Sequence, residues 1–261
     1  MKTNSIESHP FTPSGTAISR APGSRGGLVR WTARLSLATG MALGLLGSPP
    51  AQATPADTMI KAVKFDDVKE VKKQLANGMD PNLTDNQGIP LLVIAAREKS
   101  DKVVAALLEN PKTDIEIVDK AGENAMMMAA LTGDIDIVKQ LIAKDAEVNK
   151  KGWAPLHYAA ANGNDDIVKL LLDHDAYIDT ASPNGTTPLM MAARGGHVST
   201  VKLLLDSGAD LNVKNQLGLT ALDFARTYKE PDVVDGLTAR MQQMQQQAPA
   251  RSPATPENSA K

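Results

Sequence analysis

Hydrophobic residues along this chain form short clusters with helical spacing. The segment 189–193 is apolar throughout and ends in two alanines, which are small enough to let a neighbouring helix approach closely. The next cluster, about 198–205, places a valine and two leucines on one face, as in an amphipathic helix packed on a core. Gly208 follows, and glycine readily adopts the left-handed backbone that ends many helices. The pattern predicts two short helices joined by a turn.

A second regularity runs along most of the chain: a unit of about 33 residues occurs six times. A pair of small residues marks each unit, and successive pairs are separated by 33, 34, 30, 33 and 33 residues. The pairs begin at Ala62, Ala95, Ala129, Ala159, Ala192 and Ala225. A glycine stands seven residues before the pair in five units, and a valine stands nine residues after the first alanine in all six. Such self-similarity is typical of repeat proteins, whose units stack on their neighbours.

Two segments carry a recognisable motif. Residues 154–160 read APLHYAA and residues 187–193 read TPLMMAA, and both resemble the T-P-L-H-x-A core of the ankyrin-repeat family. The resemblance covers roughly residues 57–240 and implies an all-α repeat solenoid, built of helix-turn-helix units joined by β-hairpin-like turns. We divide it into six repeats: 57–88, 89–122, 123–152, 153–185, 186–218 and 219–240.

The repeats are not all alike. The first and last are atypical, as capping repeats should be, because each exposes one face to water. One extra residue follows the helices of the second repeat, within 110–114, and the turn at 149–152 is three residues shorter than its counterpart at 212–218. A shortened turn would retract one finger of the surface with which ankyrin-repeat proteins usually bind partners.

The residues before the repeats have the features of an export signal. Two arginines stand before an uncharged apolar run at 35–46, helix breakers follow, and residues 51–53 (AQA) match a cleavage site. The run of about 12 residues is too short for a stable transmembrane helix. We predict a signal peptide with a long n-region over 1–53, cleavage after Ala53, and an exported, periplasmic mature protein. A disordered leader and a weak membrane anchor are the alternatives.

The residues after the repeats have a different composition. Beyond residue 240 the chain is rich in Gln, Pro and Ala, a composition that cannot supply a packed core. We predict that 241–261 form a disordered tail, although its start, rich in Gln and Met, can extend the last helix.

Composition and charge narrow the function classes. The chain has no cysteine, which excludes disulfides, thiolate metal sites and cysteine nucleophiles. Residues 54–261 carry 23 basic and 29 acidic side chains, a formal charge of −6, whereas a phosphate footprint needs clustered bases. We therefore expect no nucleic-acid partner, no membrane contact of the mature form, no cofactor and no metal.

Residues that suggest chemistry have a structural interpretation within the repeat. The resemblance makes His157 the histidine that bonds within and between repeats, rather than a base or a metal ligand. Three acidic pairs stand just before second helices, where carboxylates cap free N–H groups; they are 66/67, 134/136 and 165/166. The methionines at 126–128 and 190–191 are interpreted as packing residues, since flexible Met fills irregular gaps. No constellation remains for an enzyme.

The resemblance also predicts where a partner binds. In ankyrin domains the turn tips and the exposed positions of the first helices form a concave face. The corresponding partner-binding residues are Arg97, Lys120, Glu123, Lys150, Lys151, Trp153, Asn162, Asn184, Arg194 and Tyr228. Trp153 has two interpretations that the sequence leaves open: an exposed hot spot, or a side chain that packs on the shortened turn.

These features together predict a non-catalytic module that binds a partner protein on its concave face. We expect a monomer of the bacterial exported type that acts as a scaffold, a chaperone-like stabiliser or an inhibitor in the periplasm. The alternative is a secreted effector or toxin-associated protein that acts on a host or a competitor. Fold alone does not identify the partner.

Overall fold

The computed structural model describes residues 53–247. The predicted signal peptide before residue 53 and the tail after residue 247 lie outside the described residues. Helices in the described part form six pairs, one for each predicted repeat. The pairs are α1 (Pro55–Lys64) and α2 (Val68–Ala76); α3 (Leu91–Arg97) and α4 (Asp101–Leu108); α5 (Ala125–Thr132) and α6 (Ile135–Ile142); α7 (Pro155–Ala161) and α8 (Asp165–Asp173); α9 (Pro188–Arg194) and α10 (Val198–Asp206); α11 (Ala221–Tyr228) and α12 (Pro231–Gln247). The predicted all-α solenoid is confirmed.

The first helix of each pair belongs to an inner row, α1, α3, α5, α7, α9 and α11, in which successive helices pack on one another. The small-residue pairs lie at these contacts: Ala95, Ala96, Ala129, Ala130, Ala159, Ala160, Ala192 and Ala193 are all fully buried. Alanine has no side chain beyond Cβ, so it allows backbones to approach closely and excludes water. The second helices form an outer row with fewer contacts between neighbours. The core therefore runs along the inner row.

Tight turns precede the inner helices. In four of them a polar residue makes two hydrogen bonds with the backbone of the residue four positions later: its own N–H donates to that residue's carbonyl oxygen, and its side-chain oxygen accepts that residue's N–H. A glycine completes each turn. The four polar residues are Asp85, Asp119, Ser182 and Asn215. The predicted hairpins contain no strands within residues 53–247, and the only pairing there is a single bridge between Thr84 and Pro90. Turns this short hold their shape by side-chain-to-backbone bonds of the Asx type.

The turn before α7 differs, as its length predicts. Asn149 donates from Nδ2 to the Asp175 carbonyl oxygen and accepts from the Tyr177 N–H. Asn82 contacts the repeat that follows it in the same way, three residues before the turn residue Asp85. The three residues missing near 149–152 therefore include the polar turn residue itself, and this finger is retracted.

A left-handed residue follows α10 at Gly208, as the sequence predicts, and the equivalent positions of three other repeats share this conformation. The backbone φ is +88° at Gly78, +60° at Asp145, +62° at Asp175 and +102° at Gly208. Pro111 cannot adopt this conformation because its ring fixes φ near −65°. The extra residue of the second repeat lies at this point, where Asn110 Oδ1 accepts from the Lys112 N–H.

The last helix is longer than the predicted repeat. α12 extends to Gln247, so the boundary that we placed after residue 240 lies within a helix. Val233 and Leu237 bury its first half against the solenoid, while the second half is largely exposed. Within residues 53–247 no helix combines the length and the apolar character needed to cross a membrane.

Candidate protein-interaction face

His157 is part of the framework, as the sequence predicts. Its side chain is fully buried; Nδ1 lies 3.1 Å from the Ala154 backbone N–H donor, and Nε2 lies 2.9 Å from the carbonyl oxygen of Thr186 in the next repeat. Burial lowers the pKa of His157 to about 4. The ring is therefore neutral at physiological pH and links two repeats.

The predicted capping role holds for one acid in each of two acidic pairs, and it is wrong for the pair 165/166, because Asn164 is the N-cap of α8 and makes no side-chain capping bond. Asp67 caps α2 and Asp134 caps α6, each by accepting an N–H from the first turn. Asp66 accepts the Val103 N–H from the next repeat, and Asp165 accepts the Thr200 hydroxyl. The predicted capping role is thus joined by bonds between repeats that sequence reasoning missed. No group of three His, Cys, Asp or Glu side chains in the described part of the chain converges as metal ligands would.

The methionines pack in the inner row. Met126, Met127, Met190 and Met191 are each at most 2% exposed, which confirms their interpretation as packing residues. Met59 of the first repeat is equally buried. Unbranched side chains of this kind fill the space between helices whose alanines leave gaps.

The middle of the concave face holds a carboxylate and two aromatic rings. The Tyr158 hydroxyl donates to Glu123 Oε1 across 2.8 Å, and burial raises the pKa of the Glu123 carboxyl. Trp153 is half-buried and meets the rings of His157 and Tyr158 edge-on, with centroids 5.2 and 6.3 Å apart. Packing on the rings of α7 therefore accounts for part of the Trp153 surface; its role in binding stays a prediction.

Basic side chains surround this region. Lys120 and Lys151 are exposed, and the stem of Lys120 lies against the backbone of Gly88 in the preceding turn. Lys150 Nζ lies 3.7 Å from Glu116 Oε2. Arg97 pairs with its neighbour Glu98, with Nε and Oε1 3.4 Å apart. Exposed pairs of this kind contribute little to stability.

Two predicted residues hold the framework as well. Asn162 donates from Nδ2 to the Leu131 carbonyl oxygen of the preceding repeat. Asn184 accepts the Ser182 hydroxyl and the Thr186 N–H within its turn. These bonds give both amides a structural role, and their contact with a partner is untested.

The end of the face is aromatic and cationic. The guanidinium carbon of Arg194 lies 4.9 Å from the centroid of the Tyr228 ring, and that ring stacks on Phe224 with centroids 6.3 Å apart. Tyr228 is 47% exposed, and Leu217 at the neighbouring turn tip is 79% exposed. The structure thus brings Arg194 and Tyr228 together, whereas the other predicted residues are distributed along the face.

Sequence reasoning missed two exposed aromatic residues, Phe65 and Tyr177, the second of which is 68% exposed. Phe65 is 75% exposed and stands three residues after Ala62, just as Tyr228 stands three residues after Ala225. The repeat register alone could have placed it on the concave face. The face therefore has an aromatic side chain at the equivalent position of both end repeats.

Comparison with known proteins agrees with this architecture. A family model described as ankyrin repeats (3 copies) matches residues 58–151, 92–182 and 156–248. These overlapping matches extend over most of the chain and include all six helix pairs. The chain belongs to the ankyrin-repeat family, whose domains are protein-interaction modules.

Individual relatives match only part of the chain. The chain is 36% identical over 101 residues to alpha-latrocrustotoxin-Lt1a of Latrodectus tredecimguttatus, which covers 39% of this chain and 7% of the toxin. It is 34% identical over 102 residues to palmitoyltransferase AKR1 of Lachancea kluyveri, covering 37% of this chain and 14% of that protein. It is 29% identical over 99 residues to human transient receptor potential cation channel subfamily A member 1, covering 37% and 9%. The chain spans a small part of each relative, so their activities do not transfer to it.

Proposed function

We propose that this protein is a non-catalytic module that binds a partner protein on its concave face after export to the periplasm. The observation that supports it is a contrast between two sets of residues. The fold buries the groups that could carry chemistry, such as His157 and the methionines at 126–128 and 190–191, while it leaves Leu217, Tyr228 and Phe65 exposed at positions that the repeat register assigns to the concave face. Exposed large apolar and aromatic residues on one face are typical of interaction sites.

A site-specific crosslinker tests the binding face. A photo-reactive amino acid is placed at Lys151, which is exposed on the concave face, and in a matched variant at Lys169, which is exposed on α8 of the outer row. Full chains are expressed in a Gram-negative host, irradiated in intact cells and examined for covalent adducts. We expect an adduct with one protein from position 151 and none from position 169. Adducts from position 169 alone, or from neither position, would contradict the proposal.

Export is tested separately. We propose that the segment 1–53 directs the chain across the inner membrane and is removed after Ala53. Fractionation of the host should place the protein in the periplasm, and mass spectrometry should find Thr54 as its first residue. Protein that stays in the cytoplasm with its full mass would contradict export. Protein found only in the medium would favour the alternative, a secreted effector.

A further inference from the structure

The fifth and sixth repeats carry a preorganised cationic site on the concave face. Arg194 lies over the Tyr228 ring at 4.9 Å, and Phe224 stacks on the same ring. A guanidinium held on aromatic rings loses less conformational freedom when it binds a ligand, because its plane is already oriented. Within residues 53–247 no carboxylate forms an ion pair with Arg194. Its planar fork of donors matches a carboxylate.

The acidic residue of α11 is bonded at the other end of its helix. Asp223, the acidic residue of α11, accepts both the backbone N–H and the hydroxyl of Thr220, at 2.9 and 2.7 Å. These bonds lower the pKa of Asp223 and hold its carboxylate at the start of the helix. Arg194 instead lies beside Tyr228, the last residue of the same helix.

Charge is divided between the two faces of this half of the solenoid. The predicted partner-binding residues of the fifth and sixth repeats are Asn184, Arg194 and Tyr228, which include one base and no acid. The outer helices of the third to sixth repeats expose more acids than bases: Asp136, Asp166, Asp173, Asp206, Asp232 and Asp235 against Lys139, Lys169 and Lys202. A basic concave face on an acidic domain is complementary to an acidic partner, and such complementarity favours encounter and register.

Apolar surface lies on the same face. Leu217 is 79% exposed at the turn tip, and Tyr228 is 47% exposed at the other end of α11. The helix between them has eight residues and is about 12 Å long at 1.5 Å per residue. A bound segment that reaches both Leu217 and Tyr228 would place one apolar side chain at each end of α11.

We infer that the concave face of the fifth and sixth repeats binds an acidic protein segment, in which a carboxylate pairs with Arg194 and neighbouring apolar side chains pack on Tyr228 and Leu217. The inference rests on the proposed function and names the chemistry of its partner. The carboxylate accepts two N–H bonds from the guanidinium, while the aromatic rings hold the guanidinium in place.

Selection from random linear peptides displayed on phage tests this inference with the full chain as bait. We expect the enriched peptides to contain Asp or Glu next to large apolar residues. Synthetic copies should bind the Arg194→Gln variant roughly 10- to 100-fold more weakly, since a hydrogen-bonded charge is lost. Arg194→Lys should recover only part of this loss, because lysine keeps the charge but not the planar fork.

Arg226→Gln is the matched control, because Arg226 is an exposed arginine of α11 and the substitution removes the same charge. It should bind the peptides as the natural chain does, and thermal unfolding should show that all variants are folded. Enriched peptides without acidic residues, or binding that is equal in Arg194→Gln and the natural chain, would overturn the inference and leave the proposed function standing. No enrichment of any peptide would count against both.

Discussion

His157 in the fourth repeat and Thr186 at the start of the fifth are joined by a hydrogen bond of 2.9 Å between Nε2 and the carbonyl oxygen. Because Nδ1 accepts the Ala154 N–H, the proton of the neutral ring must be on Nε2. A protonated ring would have to give up the Ala154 bond and carry a charge in a fully buried site. The contact between these two repeats therefore depends on a neutral imidazole.

Acid should weaken the fold through this ring. Burial lowers the pKa of His157 from 6.5 to about 4, so between these values the unfolded chain binds a proton that the folded chain does not. Stability from this group is complete above pH 6.5 and is lost as the pH falls towards 4, by about 3 kcal/mol in all. Urea unfolding at a series of pH values measures this slope.

His157→Met is the appropriate comparison, because Met127 and Met190 occupy the equivalent position in the third and fifth repeats. The variant should fold, and its stability should vary less between pH 6.5 and 4 than that of the natural chain. Other carboxyl groups titrate in both proteins, so the difference between the two profiles isolates the histidine. Parallel profiles would mean that His157 does not titrate in this way.

Tyr158→Phe should destabilise the fold by about 1–2 kcal/mol at neutral pH, because it removes the hydroxyl that donates to Glu123. The cost should shrink in acid. Burial raises the pKa of Glu123 above 4.5. Once Glu123 is protonated it is neutral, so its hydrogen bond with the Tyr158 hydroxyl is weaker and its removal costs less stability. Chemical unfolding at neutral and acidic pH measures the difference.

A double-mutant cycle with Glu123→Gln isolates the pair. If the hydrogen bond is the source of the effect, Tyr158→Phe should cost less in the Glu123→Gln background than in the natural chain. Equal costs in both backgrounds would assign the effect to packing of the ring, which also lies edge-on to Trp153.

The sequence predicts the fold well because the repeat supplies the same evidence six times. The alanine pairs predict where inner helices touch, and Gly208 predicts where an outer helix ends. The end of α12 could not be placed this way, since no later repeat provides a reference and residues 241–247 have little apolar character. Such a segment is helical here as an extension of a helix that Val233 and Leu237 already anchor.

The candidate site was predicted less completely. Repeat register identifies exposed positions, and so it found Arg194 and Tyr228, but it gives no sign that the two side chains stack. Asn184 was placed on the face, although its amide also accepts bonds within its own turn. Contacts between repeats depend on rotamers and on the exact approach of two backbones, which a pattern of residue types does not specify.

Two glycines with the same backbone conformation should respond differently to alanine. Gly78 has φ +88° and open space around it, whereas Gly163 has φ +70° and a Cβ there would lie 2.6 Å from Nδ1 of His197. Gly78→Ala should cost about 1 kcal/mol, the strain of a left-handed alanine. Gly163→Ala should cost about 2–4 kcal/mol, because it also displaces a ring that is bonded to the preceding repeat.

Thermal and urea unfolding of the two variants measure both costs. Gly78→Ala serves as the control for backbone strain, since the two substitutions remove the same freedom. Equal losses of stability would show that the position of His197 does not matter. In that case its bond of 3.0 Å between Nε2 and the Ala161 carbonyl oxygen would contribute little to the contact between repeats.

Serine substitutions at Leu217 and Leu211 should distinguish a loss of peptide binding from a loss of fold stability. Leu217 is 79% exposed at a turn tip, whereas Leu211, in the same repeat, is 7% exposed. Leu217→Ser should change the free energy of unfolding by less than about 0.5 kcal/mol, and Leu211→Ser should cost about 2–4 kcal/mol because it removes buried apolar volume. The acidic peptides that bind the natural chain should bind Leu217→Ser more weakly. If Leu217→Ser instead destabilises the fold as much as Leu211→Ser does, the turn tip is part of the core and Leu217 contributes to stability rather than to binding. If Leu217→Ser folds and binds the peptides normally, the partner does not contact the turn tip.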